Sequence, residues 1–337
     1  MKKRVAINGL GRIGNQVLRH YIHNLPKSCE IVAANTSSVE DAAYLLKYDS
    51  VHGKADFEIE TTGNEKLVVD GHEIDIVSSH NPLELPWKDM GIDIVLECTG
   101  RFTEGSAAAQ HIKAGAKKVI ISAPGKNIDK TFVVGVNHEE YDDERHHVVS
   151  NASCTTNSLA PVMKVLEESF GVESAMITTT HAYTSSQTTV DKRAKKRRRG
   201  RAAAVNIIPT TTGAAVATVE VIPSLEGKME AMALRVPVPD GAITEVVALL
   251  GTGVTAQSVN EAFKKAAEGS LKGILEFTTE ELVSTDIIGN RHSSIVDALS
   301  TSVVGDRMVK VMAWYDNEYG YSQRLLELAD YIAGKMR

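Results

Sequence analysis

Three glycines near the start of the chain, in Gly9-Leu10-Gly11-Arg12-Ile13-Gly14, constrain the fold more than any other feature of its 337 residues. They come after an apolar run at 4–8 and lead into a helical pattern over 16–23. At a strand–turn–helix junction the first glycine permits the tight turn. The second lets backbone approach a pyrophosphate, and the third lets helix and sheet pack closely. The pyrophosphate then sits at a helix N-terminus, where N–H groups and the helix dipole favour an anion. Without a ligand the same residues would be only a glycine-rich turn. The pattern downstream favours the ligand-binding reading. Strand patterns at 30–35, 92–98 and 117–122 alternate with helical patterns at 39–47 and 105–114, the order of a parallel, doubly wound sheet.

Residues 57–77 differ. They hold Asp70-Gly71 between two alternating runs, which predicts an antiparallel hairpin. The pattern changes again after Ser150. A helix is predicted over Cys154–Phe170, with Pro161 expected to kink or restart it. Long extended runs at 174–181, 229–237, 243–250 and 308–314 predict a large sheet, mostly antiparallel or mixed. Leu325, Leu328, Ala329 and Ile332 mark a closing helix over 322–336. The length also suits two domains better than one core. The fold class is therefore α/β: a Rossmann-type dinucleotide-binding domain at 1–152 and an α+β catalytic domain at 153–317. A C-terminal helix at 318–337 is expected to pack back on the first domain.

Composition narrows the function classes. Apolar residues make up 43% and charged residues 24%, which excludes disordered and fibrous architectures. No run approaches eighteen apolar residues, so no membrane-spanning helix is expected. The N-terminal apolar run is too short for a signal peptide, and a cytoplasmic location is expected. Cys29, Cys98 and Cys154 are odd in number and lack metal-ligand spacing, which implies a reducing compartment, no metal and at most one reactive thiol. The net charge of −6 is unevenly spread: eight of the ten residues at 192–201 are Lys or Arg, leaving the rest of the chain at −14.

A unit that binds NAD usually carries Asp or Glu at the end of its second strand, for the ribose 2′-hydroxyl. Here that strand end reads Asn35-Thr36-Ser37-Ser38, with no carboxylate before Glu40. Neutral hydrogen-bonders there do not repel a 2′-phosphate, which points to NADP. Farther on, Cys154 lies at a strand-to-helix junction, where the positive helix end is expected to favour thiolate. His181 ends an extended run twenty-seven residues later. Such a pair suits covalent catalysis, the imidazole drawing off the thiol proton and then shuttling a substrate proton. Each residue alone also has an ordinary reading, as a small buried thiol or a structural histidine.

Ser150-Asn151-Ala152-Ser153-Cys154-Thr155-Thr156-Asn157 resembles the active-site signature of the phosphorylating glyceraldehyde-3-phosphate dehydrogenases. The N-terminal glycine segment resembles that family's fingerprint. So do the blocks at 46–53, 122–126, 208–215, 235–237 and 314–318, in family order, so the resemblance covers essentially the whole chain. It implies that Cys154 attacks the aldehyde of glyceraldehyde 3-phosphate and that His181 is acid and base. A thioester would pass to inorganic phosphate, giving 1,3-bisphosphoglycerate, with hydride going to NADP or NAD. Ser153, Thr155, Arg199, Thr212 and Gly213 match the inorganic-phosphate site, and Thr184 and Arg235 the site for the substrate's own phosphate. Gly9, Gly11, Arg12, Ile13, Gly14, Asn35, Thr36, Thr99, Gly100, Ser122 and Asn317 match coenzyme contacts. A homotetramer is implied, because the family's loop after the histidine reaches a neighbouring subunit's adenosine ribose.

The departures bear on the coenzyme. Thr36 stands where NAD-dependent members have aspartate, and Lys192-Arg193 where they carry Leu-Pro. Ser186 stands where that loop has Asp, and His80 where an arginine is common near the adenine. Lys192 and Arg193 are accordingly expected to meet the 2′-phosphate and Arg199 inorganic phosphate. The remaining basic residues are left exposed, intersubunit or open to an acidic regulatory partner. Within the enzyme class, erythrose-4-phosphate dehydrogenase is the rival. Outside it, the rival is an anion- or nucleic-acid-binding protein using the basic run, which lacks interleaved aromatics to stack bases.

Overall fold

The computed structural model describes all 337 residues and divides into two compact units. One comprises Met1–Val134, His138–Ser153 and Ser322–Arg337; the other comprises Gly135–Asn137 and Cys154–Tyr321.

The first unit is a Rossmann-type domain built on a nine-stranded sheet. Its order is Lys130–Thr131, Val148–Ser150, Lys118–Ile121, Ile94–Glu97, Lys3–Asn8, Cys29–Asn35, His72–Val77, Lys66–Val69, Ile59–Thr62. The first seven pair in parallel and the last two join as antiparallel hairpins. Central strands read as unbroken apolar runs because both faces are covered, and Val5, Ala6, Ile7, Ile94, Val95 and Leu96 are all buried. Asp70 and Gly71 take φ of 49° and 79°, the two positive values a two-residue hairpin turn requires. The helix Arg12–His23 starts directly after Gly11, earlier than its apolar pattern. The single helix expected at 105–114 is two short ones, Gly105–Ala108 and Gln110–Lys113. They are broken at Ala109, whose ψ of −10° departs from helical geometry.

The second unit holds a seven-stranded sheet ordered Ile208–Thr211, Met229–Val236, Val172–Ala182, Ala242–Leu250, Met308–Tyr315, Ser294–Val304, Leu275–Thr278. Four of its six pairings are antiparallel and two parallel, so the expected mixed sheet is present. Ala242–Leu250 alternates strictly between buried and half-buried residues, as a sheet with one helix-covered face does. The helix Cys154–Phe170 packs on the covered face and runs through Pro161 without restarting. Proline removes one ladder bond there, but the residues from Thr155 to Met163 are all buried, and that packing holds the helix together. On the other face Met176, Met232 and Met308 are 65%, 43% and 47% exposed, beside half-buried Val247 and Leu249. The closing helix is Tyr319–Lys335, with Leu325, Leu328, Ala329 and Ile332 buried; Asp330 accepts the Ser28 N–H at 2.6 Å. No helix is long and apolar enough to cross a membrane.

Candidate active site

At the carboxyl edge of the first unit's sheet, the glycine segment forms one wall of a cleft of about 310 Å³. Gly9 takes φ +102°, and a Cβ on Gly14 would meet the Gly9 carbonyl oxygen at 2.2 Å. A Cβ on Gly11 would meet nothing within 4 Å, so no protein atom explains that glycine; it leaves room for a ligand. No side chain caps the helix Arg12–His23. Gly9, Gly11, Asn35, Thr36 and Thr99 line the cleft, with Ser37, Ser78, Ser79, His80 and Arg101, which the motif did not specify. None of the lining residues is acidic. These features fit a dinucleotide. Asn35 is locked in place, its Nδ2 donating to Asn8 Oδ1 and Ser79 O and its Oδ1 accepting the Ser79 N–H. Ile13, Gly100 and Ser122 belong to the same unit without lining the cleft, and Arg12 pairs with Asp49 at 2.6 Å.

Beneath the cleft lies a polar cluster that sequence reasoning missed. Glu97, wholly buried, accepts from Asn8 Nδ2 at 2.5 Å, from His111 Nε2 at 3.1 Å, and from the Thr99 N–H and hydroxyl. Trp87 Nε1 donates to His111 Nδ1 at 3.0 Å.

In the second unit, Cys154 opens the helix Cys154–Phe170 and His181 lies near the end of Val172–Ala182. The Cys154 Sγ stands 3.5 Å from His181 Nε2. Strand pairing sets Arg235 beside His181, and Arg235 Nη1 lies 2.8 Å from His181 Nδ1 while donating to Ala182 O at 2.9 Å. That carbonyl is 2.7 Å from Nδ1, so Nδ1 faces both a carbonyl acceptor and the Arg235 donor, while Nε2 faces the thiol. Burial, and then the Arg235 charge, hold His181 down to about 3. Burial also pushes the Cys154 thiol up, against the opposing pull of Arg235 and Thr155. Burial thus works against the thiolate bias expected from the helix end, and against a charged imidazole beside it. Tyr315, unexpected from the sequence pattern, is buried edge-on to His181, its hydroxyl 2.8 Å from Thr179 Oγ1 and 3.1 Å from Thr155 Oγ1.

Arg235 Nε is buried with no partner, as is Asn317 Oδ1. A buried guanidinium N–H and a buried amide oxygen left in this state call for an anion and a donor respectively. Arg199 is anchored by Thr210 Oγ1 and Thr211 O, each at 3.0 Å, and Thr212 Oγ1 accepts the Ala214 N–H. Thr184 Oγ1 meets Ser186 Oγ at 2.8 Å, Gly213 precedes the helix Ala214–Val221, and Ser153 ends the first unit's segment His138–Ser153. The basic run is an ordered loop. Lys192 N–H donates to Gly200 O at 2.7 Å, and Asp191 pairs with Arg201 at 2.7 Å. Lys192, Arg193, Lys195, Arg197 and Arg198 are exposed and none forms an ion pair.

Residues 3–105 match the family model for the glyceraldehyde 3-phosphate dehydrogenase NAD binding domain, and residues 153–317 that for the same enzyme's C-terminal domain. Glyceraldehyde-3-phosphate dehydrogenase 2 of Bacillus subtilis is 52% identical over 338 residues, covering 100% of this chain and 98% of the relative. Glyceraldehyde-3-phosphate dehydrogenase of Geobacillus stearothermophilus is 54% identical over 336 residues, covering 99% of each. The chloroplastic glyceraldehyde-3-phosphate dehydrogenase B of Pisum sativum is 50% identical over 337 residues, covering 99% of this chain and 75% of the relative.

Proposed function

The chain belongs to the glyceraldehyde 3-phosphate dehydrogenase family, and we propose that it catalyses the reversible oxidative phosphorylation of glyceraldehyde 3-phosphate, with NADP preferred to NAD. The observation that carries this reading is the Cys154–His181 pair with Arg235 against the imidazole. Sγ adds to the aldehyde carbon as its proton passes to His181 Nε2, and the Cys154 N–H and the imidazole stabilise the oxyanion. A nicotinamide coenzyme, held by Gly9, Gly11, Arg12, Ile13, Gly14, Asn35, Thr36, Thr99, Gly100, Ser122 and Asn317, supplies the hydride acceptor when bound. A phosphate oxygen then attacks the thioester carbon, the C–S bond breaks, and the sulfur takes its proton back from His181. Arg235 and Thr184 hold the substrate's phosphate; Ser153, Thr155, Arg199, Thr212 and Gly213 hold inorganic phosphate.

The coenzyme preference rests on the acid-free cleft wall and on Lys192 and Arg193, cations with no carboxylate partner. One charge-assisted contact to phosphate is worth roughly 1.5–3 kcal/mol, enough for about tenfold preference. The exposed methionines of the second unit's sheet, Met176, Met232 and Met308, support self-association into a homotetramer, and the chain is taken to work in the cytoplasm. One spectrophotometric experiment tests the reading: purified protein with NADP or NAD, with and without phosphate, on glyceraldehyde 3-phosphate and on erythrose 4-phosphate. Phosphate-dependent oxidation of the triose is expected, with kcat/KM higher for NADP, and Thr36→Asp is expected to lower the NADP value far more than the NAD value. A parent that prefers NAD would sink the NADP assignment and bring forward an acidic regulatory partner for the basic loop.

A further inference from the structure

The strands Cys29–Asn35 and His72–Val77 end side by side: Asn35 pairs with Val77, and the Thr36 N–H donates to Val77 O at 3.0 Å. Residues 36–38 and 78–80 therefore leave the sheet together, where a dinucleotide-binding fold receives the adenosine ribose and its 2′-position. The segment 78–80 is held on both sides of its last residue. Asn35 grips the Ser79 backbone through both of its amide atoms, and the Asn81 N–H donates to Ser79 Oγ at 3.0 Å. His80 is thus fixed through both neighbours while its own side chain stays free.

The polar groups of these two segments divide into engaged and open ones. The Ser38 hydroxyl accepts the Asp41 N–H at 3.0 Å, capping the helix Val39–Lys47, and donates to Glu40 at 3.2 Å. The Ser79 hydroxyl donates to Glu84 at 2.9 Å, and Asn81 Nδ2 donates to the same carboxylate at 3.1 Å. Those two contacts hold Glu84 below the usual carboxylate range, so it keeps its charge around neutrality. Thr36, Ser37 and His80 all line the cleft, and their side chains make no hydrogen bond, ion pair or ring contact within the chain. Two open hydroxyls and an open imidazole on an acid-free wall fit a phosphate, the hydroxyls as donors and the imidazole as a cation when protonated. One other charged group lines the cleft, Arg101, which follows the strand Ile94–Glu97 on the far side of Lys3–Asn8. Its guanidinium does not titrate near neutrality.

We propose that His80 makes the chain's choice of coenzyme follow pH: its imidazolium, with the Thr36 and Ser37 hydroxyls, receives the 2′-phosphate of NADP, and its neutral form gives that contact up. The inference rests on the NADP reading above and deepens it. Lys192 and Arg193 keep their charge and set a preference that is constant around neutrality, whereas an imidazole changes charge at about pH 6.5. The test is the Kd for NADP and for NAD, by isothermal titration at fixed ionic strength, from about pH 6 to about pH 8. It compares the parent with His80→Arg, which is always charged, and His80→Gln, which never is. Taking the ratio of the two Kd values cancels the contacts that the coenzymes share. Dividing by the His80→Arg ratio then removes the titration of the 2′-phosphate itself. On that scale the parent's preference for NADP should fall roughly three- to tenfold across the range, the worth of one partly exposed charge-assisted contact. His80→Gln should give a low and constant value. A parent that tracks His80→Arg at every pH, or a His80→Gln that keeps the parent's slope, would overturn the inference. The size of the ratio judges the earlier reading separately. A parent that favours NAD throughout would sink the NADP preference, and the slope would still decide the role of His80.

Discussion

An imidazole that shares a backbone carbonyl with a guanidinium is a poor place for a proton. His181 stays neutral down to about pH 3, whereas the unfolded chain's imidazole takes up a proton near 6.5. Between those values the unfolded state binds more protons, so this residue lowers stability as pH falls through 6.5, by about 1.4 kcal/mol per pH unit. Urea titrations at intervals from pH 7 to 4 should show that slope reduced in His181→Asn. The same variant should lose two to four orders of magnitude, roughly, in kcat, the usual range for general acid–base catalysis. Near-parental turnover would remove the acid–base role given to His181. Arg235 is the second cause of the depressed basicity, and its Nε is buried without a partner. A phosphate bound there would offset the charge and make Nε2 a better base just when substrate arrives. Unphosphorylated glyceraldehyde should therefore lose kcat as well as affinity, and added phosphite should recover part of the kcat loss. A loss confined to KM would contradict this coupling. The cysteine and histidine were legible by their motif. Their protonation was not, because it depends on burial and on Arg235, fifty-four residues along the chain.

Elements differ in how openly the sequence announces them. The glycine turn did so because each glycine answers a steric demand. The expected consequences separate: Gly14→Ala drives a Cβ against the Gly9 carbonyl and should cost about 1–3 kcal/mol in denaturant titration. Gly11→Ala meets no protein atom and should fold at parental stability, yet weaken coenzyme binding by obstructing the close approach. Parental coenzyme affinity in Gly11→Ala would mean that the pyrophosphate lies elsewhere. The helix Ala256–Glu268 was missed, although Thr255 and Ser258 form a capping box and Val259 and Phe263 make its buried stripe. Those signals were there to be read. Continuity through Pro161 was not, because tertiary burial decides it. Nor was the Glu97 cluster, since Asn8, Trp87, Glu97 and His111 come from four separate segments and no local pattern joins them.

At the scale of the molecule, the sheet face that exposes Met176, Met232 and Met308 among Glu230, Glu245 and Lys310 is a predicted self-association surface. Placing glutamates at Met176 and Met232 leaves the buried face of the sheet untouched. The double variant should lower the mass measured by light scattering while keeping the parental circular dichroism; an unchanged mass would exclude this face from the assembly. The division into a nucleotide-binding sheet and a mixed sheet was readable from the change of pattern near Ser150. The ordering of the basic run was not, since its hydrogen bonds join Thr188, Asp191 and Lys192 to Gly200, Arg201 and Ala202 across the charges themselves. That pinched base has a practical consequence. The run is a dense string of trypsin sites on a tethered loop, so a single nick would leave both fragments held together, separating on a denaturing gel while a sizing column still reports one particle. If neighbouring subunits shield the loop, the assembled protein should resist trypsin and the double variant should be cut within minutes, turning a protease into a gauge of assembly.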